Sequence, residues 1–139
     1  MPRARRIILH PGFHRTGCRS IQDFLRLNET ALAPHVRRLF VDDLRPIVRL
    51  ARTEAAAGRG ALARAIGLIF PPEADSDTRD IVISAEALCG APVGRPETID
   101  YNASPTAIAD LVEALSERFP KAEITVALTA RDPEDWLFS

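Results

Sequence analysis

Ile7-Ile8-Leu9-His10-Pro11-Gly12-Phe13-His14-Arg15-Thr16-Gly17-Cys18-Arg19-Ser20 reads as three elements in succession. The apolar, β-branched start predicts a short buried strand over residues 5–10. Gly12 and Gly17 then bracket a loop that holds a cation and hydroxyls. From Gly17 the period changes: Ile21, Phe24, Leu25 and Leu32 fall at i, i+3, i+4 and i+11, which predicts one buried face of a helix. A strand, a glycine loop and a helix N-terminus in that order suit an anion. Backbone N–H groups converge there, and the peptide dipoles add roughly half a positive charge at the helix start.

Outward from this stretch the alternation continues. Leu39-Phe40-Val41, between Arg38 and Asp42, predicts a short second strand. Residues 44–70, rich in Ala, Leu and Arg, predict two helices broken near Gly58-Arg59-Gly60. Pro71 to Asp80 is a loop, and Ile81-Val82-Ile83 a strand ending at Ser84-Ala85-Glu86. Residues 89–103 read as a long loop. Ser104 as N-cap and Pro105 at the first helical position open a helix, with Ile108, Leu111, Val112, Leu115 and Phe119 on one face and Pro120 ending it. Ile124 to Leu128 is another strand, and Asp132-Pro133 opens a last helix.

This pattern predicts an α/β fold in which helices cover a mostly parallel sheet. Ligands of such sheets sit at the C-terminal strand ends. The polar clusters at 11–20, 84–86 and 129–139 each follow a predicted strand directly, so one sheet edge should carry all three. Residues 1–139 read as a single domain. Its last helix has run only about two turns by Ser139, after three or four strands where doubly wound sheets have about five or more. The expectation is therefore a domain truncated at its C-terminus.

Composition narrows the function classes. The chain has 139 residues, 46% hydrophobic and 27% charged, with a net charge of −1. Neither nucleic acid nor an anionic membrane is indicated by that balance. No apolar run approaches the roughly 20 residues of a membrane span, and too few apolar residues follow Met-Pro-Arg-Ala-Arg-Arg for a signal-peptide core. Cys18 and Cys89 form no metal spacing and no disulfide framework, so the expected setting is reducing and cytoplasmic. His10 and His14 span a strand end and a Pro-Gly turn, so they do not read as a metal pair. Of the 18 Lys and Arg residues only Lys121 is a lysine, which makes Arg15 the loop cation.

A nucleotide-hydrolysing loop reads G-x-x-x-x-G-K-[ST], its Lys reaching the phosphates and its hydroxyl holding Mg²⁺. Gly12 and Gly17 have that separation, but Cys18 and Arg19 stand where the Lys and the hydroxyl belong. A kinase-type P-loop is therefore the weaker reading. A cation followed by Thr-Gly and small residues, Arg15-Thr16-Gly17-Cys18-Arg19-Ser20, instead resembles the phosphosulfate-binding loop of the sulfotransferase family, which typically reads Gly-x-x-Lys-Thr-Gly-Thr-Thr. Phe13-His14 before the cation and Ser20-Ile21-Gln22 after the loop are similar to a bacterial branch. The family's second motif, Arg-x-Pro-x-Asp-x-x-x-Ser, is matched at every fixed position by Arg131-Asp132-Pro133-Glu134-Asp135-Trp136-Leu137-Phe138-Ser139.

The resemblance implies a P-loop-type three-layer α/β/α domain. It implies transfer of a sulfuryl group from 3′-phosphoadenosine 5′-phosphosulfate (PAPS) to a hydroxyl or amine of a small-molecule or glycan acceptor, without a metal. Arg15 would meet the 5′-phosphosulfate and the charge that develops on its bridging oxygen. Gly12, Thr16, Gly17, Cys18, Arg19 and Ser20 would form the cradle, and Arg131 and Ser139 would hold the 3′-phosphate. Glu86, just past a strand end, is the candidate base, with His14 on the acceptor side of the loop as a second candidate. Trp136 would stack on adenine or pack in the core. Cys18 and Arg19 replace the usual Thr pair: the thiol sits where a helix dipole favours thiolate and oxidation, and the long Arg19 side chain either adds a second cation or fills the pocket. These departures leave open a degenerate, non-catalytic nucleotide- or anion-binding relative.

Overall fold

The computed structural model describes residues 3–12, 16–47, 58–72, 76–89, 104–132 and 134. In chain order they form β1 (Arg6–His10), α1 (Cys18–Leu27), α2 (Glu29–Leu32), β2 (Val36–Leu39), α3 (Gly58–Ile69), β3 (Asp80–Ser84), a 3₁₀ turn (Glu86–Cys89), α4 (Ser104–Arg118) and β4 (Glu123–Val126). The four strands make one sheet in the order β2-β3-β1-β4. Every pairing is parallel: Ile7 faces Ile81 and Ile124 on either side, and Leu39 faces Ile83. The protein is therefore a mixed α/β fold on an all-parallel sheet.

Side-chain alternation assigns the two faces. Ile7, Leu9, Leu39, Ile81 and Ile83 are buried in one cluster with Ala65, Ile66 and Ile69 of α3 and Leu111, Ala114 and Leu115 of α4. Phe70 and Phe119, which follow those two helices, close this layer edge-to-face with centroids 5.2 Å apart. Arg38 points to the other face and donates to the Leu25 carbonyl of α1 at 2.9 Å while pairing with Glu29. Its neighbour Arg37 serves the first face, donating to the Ile69 carbonyl at 3.0 Å with its guanidinium over Phe70. Helices α3 and α4 thus pack on one face of the sheet, and α1 is tied to the other through Arg38. At the N-terminal rim Asp80 of β3 accepts from the Arg6 backbone N–H and guanidinium and from Arg3, fixing β1 against β3.

Two expectations are corrected. The second strand lies at Val36–Leu39, not Leu39–Val41, since Arg37 and Arg38 extend aliphatic stems along the sheet and bond carbonyls at its margins. The buried face of α1 is Cys18, Gln22 and Leu25, whereas Ile21 and Phe24 are 37% and 60% exposed. Leu32 belongs to the separate helix α2. Gly58 and Gly60 lie in the first turn of α3. The strand and helix expected around Ile81–Ile83 and Ile108–Phe119 are present as β3 and α4, with Leu111 and Leu115 buried. The loop residues 90–103 lie outside the described residues.

Candidate functional site

Parallel strands place their C-terminal ends on one rim, and in this strand order the chain leaves β1 toward β2 but leaves β3 across β1 to β4. Adjacent strands whose connections depart in opposite directions open a crevice at that rim. Gly12 and Gly17 both have left-handed backbone there, φ 43° and 89°, which a glycine adopts without a Cβ penalty. Gly17 is the N-cap of α1 and supplies no side chain to it, and the first turn carries no acidic residue. The α1 N–H groups consequently present positive potential to the rim with no capping carboxylate. A Cβ built on Gly12 would stand 2.2 Å from Cys18 Sγ and 3.3 Å from Thr129 Oγ1, so only glycine lets the chain pass this close to α1. The described part of the loop fits an anion.

Beneath it lies a polar cluster drawn from three strand ends. The buried His10 places Nδ1 2.9 Å from Ser84 Oγ and Nε2 3.3 Å from Thr129 Oγ1. Thr129 Oγ1 is 2.9 Å from Thr16 Oγ1, and Cys18 Sγ stands 3.6 Å from Thr129 Oγ1 and 3.9 Å from His10 Nε2. Burial pushes the His10 imidazole below its ordinary pKa, opposed in part by the Glu86 carboxylate. At neutral pH the ring is therefore uncharged, with one nitrogen donating and the other accepting. Gln22 joins the third strand end: its amide donates to Glu86 Oε2 at 2.9 Å and to the Ser84 carbonyl at 3.4 Å.

Gly12, Thr16, Gly17 and Cys18 meet at the start of α1. Glu86 lies at the end of β3, tied to α1 through Gln22. Cys18 is 3% exposed, so its thiol fills the space under the loop and lacks the access that oxidation requires. Arg19 is exposed and does not fill the pocket; Ser20 is exposed beside it. Arg131 follows β4 on the same rim, exposed and without an ion pair among the described residues. Asp132 accepts from the Glu134 N–H at 2.9 Å, the bond expected of an N-cap. Arg15, His14, Trp136 and Ser139 lie outside the described residues. Sequence reasoning did not single out Ser84, Thr129 or Gln22, nor assign His10 a role; the available signal was a polar residue closing an apolar strand, as His10 and Ser84 do. Among the described residues no group of three or more His, Cys, Asp or Glu side chains suits a metal ion, and no helix is long and apolar enough to cross a membrane.

Compared with known protein families, curated proteins and solved structures, the chain matches none.

Proposed function

We propose that this chain is a P-loop-type, sulfotransferase-like domain that binds PAPS at the loop following β1. The observation that carries the reading is the glycine-lined start of α1, without side-chain cap or acidic first turn, on the same sheet rim as Arg131, which has no ion pair among the described residues. The spacing of Arg15 from Gly12 and Gly17, and the Arg131-to-Ser139 motif, add the chemical direction. When bound, the nucleotide supplies an activated sulfuryl group.

The protein's own contribution is positioning and charge. Thr16 and the N–H groups at the start of α1 orient the 5′ end, and Arg131 with Ser139 holds the 3′-phosphate. Arg15 neutralises charge on the leaving phosphate but, being always protonated, donates no proton to it. Glu86 accepts the proton of the acceptor hydroxyl or amine; Gln22 occupies one of its carboxylate oxygens, which aims the other. A second reading, a binding module without transfer activity, is favoured by Cys18, whose thiol is packed under the loop where the family pattern has a hydroxyl.

Titration of the chain with adenosine 3′,5′-bisphosphate, and separately with ATP plus Mg²⁺, tests this. The expected result is bisphosphate binding that persists in EDTA and weakens about tenfold or more in Arg15→Ala and in Arg131→Ala, as loss of a charge-assisted hydrogen bond entails. Absence of bisphosphate binding, or preference for Mg²⁺-ATP, overturns it. Bisphosphate binding without sulfuryl transfer to any acceptor selects the second reading.

A further inference from the structure

We propose that Thr129 is a positioning residue whose hydroxyl clasps the anion loop to the segment carrying Arg131, so that the two ends of one nucleotide are bound as a unit. This rests on the nucleotide reading above and adds to it how the half-sites are coupled.

The last backbone bond joining this part of the chain to β1 is Ala127 N–H to the Leu9 carbonyl, at 2.8 Å. Beyond it Leu128 is 56% exposed, and Ala130 and Arg131 are exposed. Thr129 alone turns back: its hydroxyl meets Thr16 of the loop at 2.9 Å and His10 of β1 at 3.3 Å. Arg131, two residues further on, has no ion pair among the described residues to hold it. Among the described residues the Thr129 hydroxyl is therefore the side-chain tie between the Arg131 segment and the loop.

The cluster makes that clasp directional. His10 is held from behind by Ser84, so its Nε2 is a fixed partner for Thr129. Cys18 Sγ stands 3.6 Å from the same hydroxyl, and the chain passes close by it at Gly12. A threonine here joins loop, strand end and Arg131 segment through one oxygen.

A clasp with only a structural role would change stability and leave ligand preference alone. A clasp that sets the half-site distance changes how much tighter adenosine 3′,5′-bisphosphate binds than AMP, because only the bisphosphate engages Arg131. Thr129→Val, nearly isosteric, should lower that preference by about tenfold, the scale of one well-placed hydrogen bond to a charged site. Thr129→Ser keeps the hydroxyl and should retain the preference. Thr16→Val breaks the same bond from the loop side and should give the same loss, which supplies the test if Thr129→Val fails to fold.

Isothermal titration of both ligands against each variant, with thermal melts to verify folding, decides it. An unchanged preference in folded Thr129→Val or Thr16→Val overturns the clasp while leaving the nucleotide reading intact. Equal loss in Thr129→Ser and Thr129→Val also overturns it, since the hydroxyl would then be immaterial. A wild-type chain that binds no bisphosphate overturns the nucleotide reading and this inference with it.

Discussion

His10 Nδ1 stands 2.9 Å from Ser84 Oγ across two adjacent parallel strands, a polar pair buried at the rim where the sheet meets its loop. Desolvation holds the ring below its ordinary pKa, so the unfolded chain takes up a proton at higher pH than the folded one. Stability is then fully present above the unfolded His value, roughly 6.5, and declines as pH falls below it. Thermal melts between pH 8 and 5 should show this decline, and His10→Gln should flatten it. A melt profile unchanged by that substitution would place the pH dependence elsewhere.

The two left-handed glycines should respond unequally to alanine. At Gly17 the Cβ would meet nothing within 4 Å, so Gly17→Ala costs only the backbone penalty, about 1–2 kcal/mol. At Gly12 the same penalty is joined by a 2.2 Å clash with Cys18 Sγ, so Gly12→Ala should be clearly more destabilising. Cys18→Ala in the Gly12→Ala background should recover part of the difference, because it removes the clashing sulfur. Urea denaturation of the wild type, Gly12→Ala, Cys18→Ala and the double variant measures the coupling.

Phe70 anchors the layer formed by α3 and α4. It is 1% exposed, packs edge-on against Phe119 and lies under the Arg37 guanidinium. Phe70→Ala should cost about 3–5 kcal/mol by urea denaturation. Phe70→Leu should cost less, since it returns most of the volume but not the ring contacts.

Acid should weaken the turn before β3. Hydrogen bonds from Arg79 bring the Asp77 carboxyl down to about 2, below its unfolded value of 3.8. The stabilisation is therefore present above pH 4 and is lost as pH falls toward 2. Arg79 also donates to the Ala33 carbonyl at 2.9 Å, so the lost pairing loosens the approach to β2 as well. In Asp77→Asn the slope of stability against pH between 4 and 2 should be shallower; an equal slope would exclude this pair as a contributor.

The order of elements was legible because β1, β3 and α4 owe their stability to apolar periodicity, which is a property of sequence alone. The register of β2 was not, because Arg37 and Arg38 look like a solvated turn until their carbonyl partners on two different helices are known. The rotation of α1 escaped for a related reason. Gln22 is buried by its bonds to Ser84 and Glu86, and this polar tether turns Ile21 and Phe24 outward against their hydropathy. The glycines and Arg131 carried a spacing that could be read. Ser84 and Thr129 belong to polar clusters expected on one sheet edge, but their shared partner His10, and the bonds of Gln22 to Ser84 and Glu86, are a product of topology.

Successive residues of β2 reach in opposite directions, Arg37 to the Ile69 carbonyl and Arg38 to that of Leu25. A parallel edge strand of this length, with only Leu39 fully buried, has little apolar pattern to tell one alignment from the next. Sliding it by a single residue would aim each guanidinium at the wrong layer and forfeit both carbonyls together. The arginine pair thus favours this one alignment of β2 where hydrophobic burial barely would.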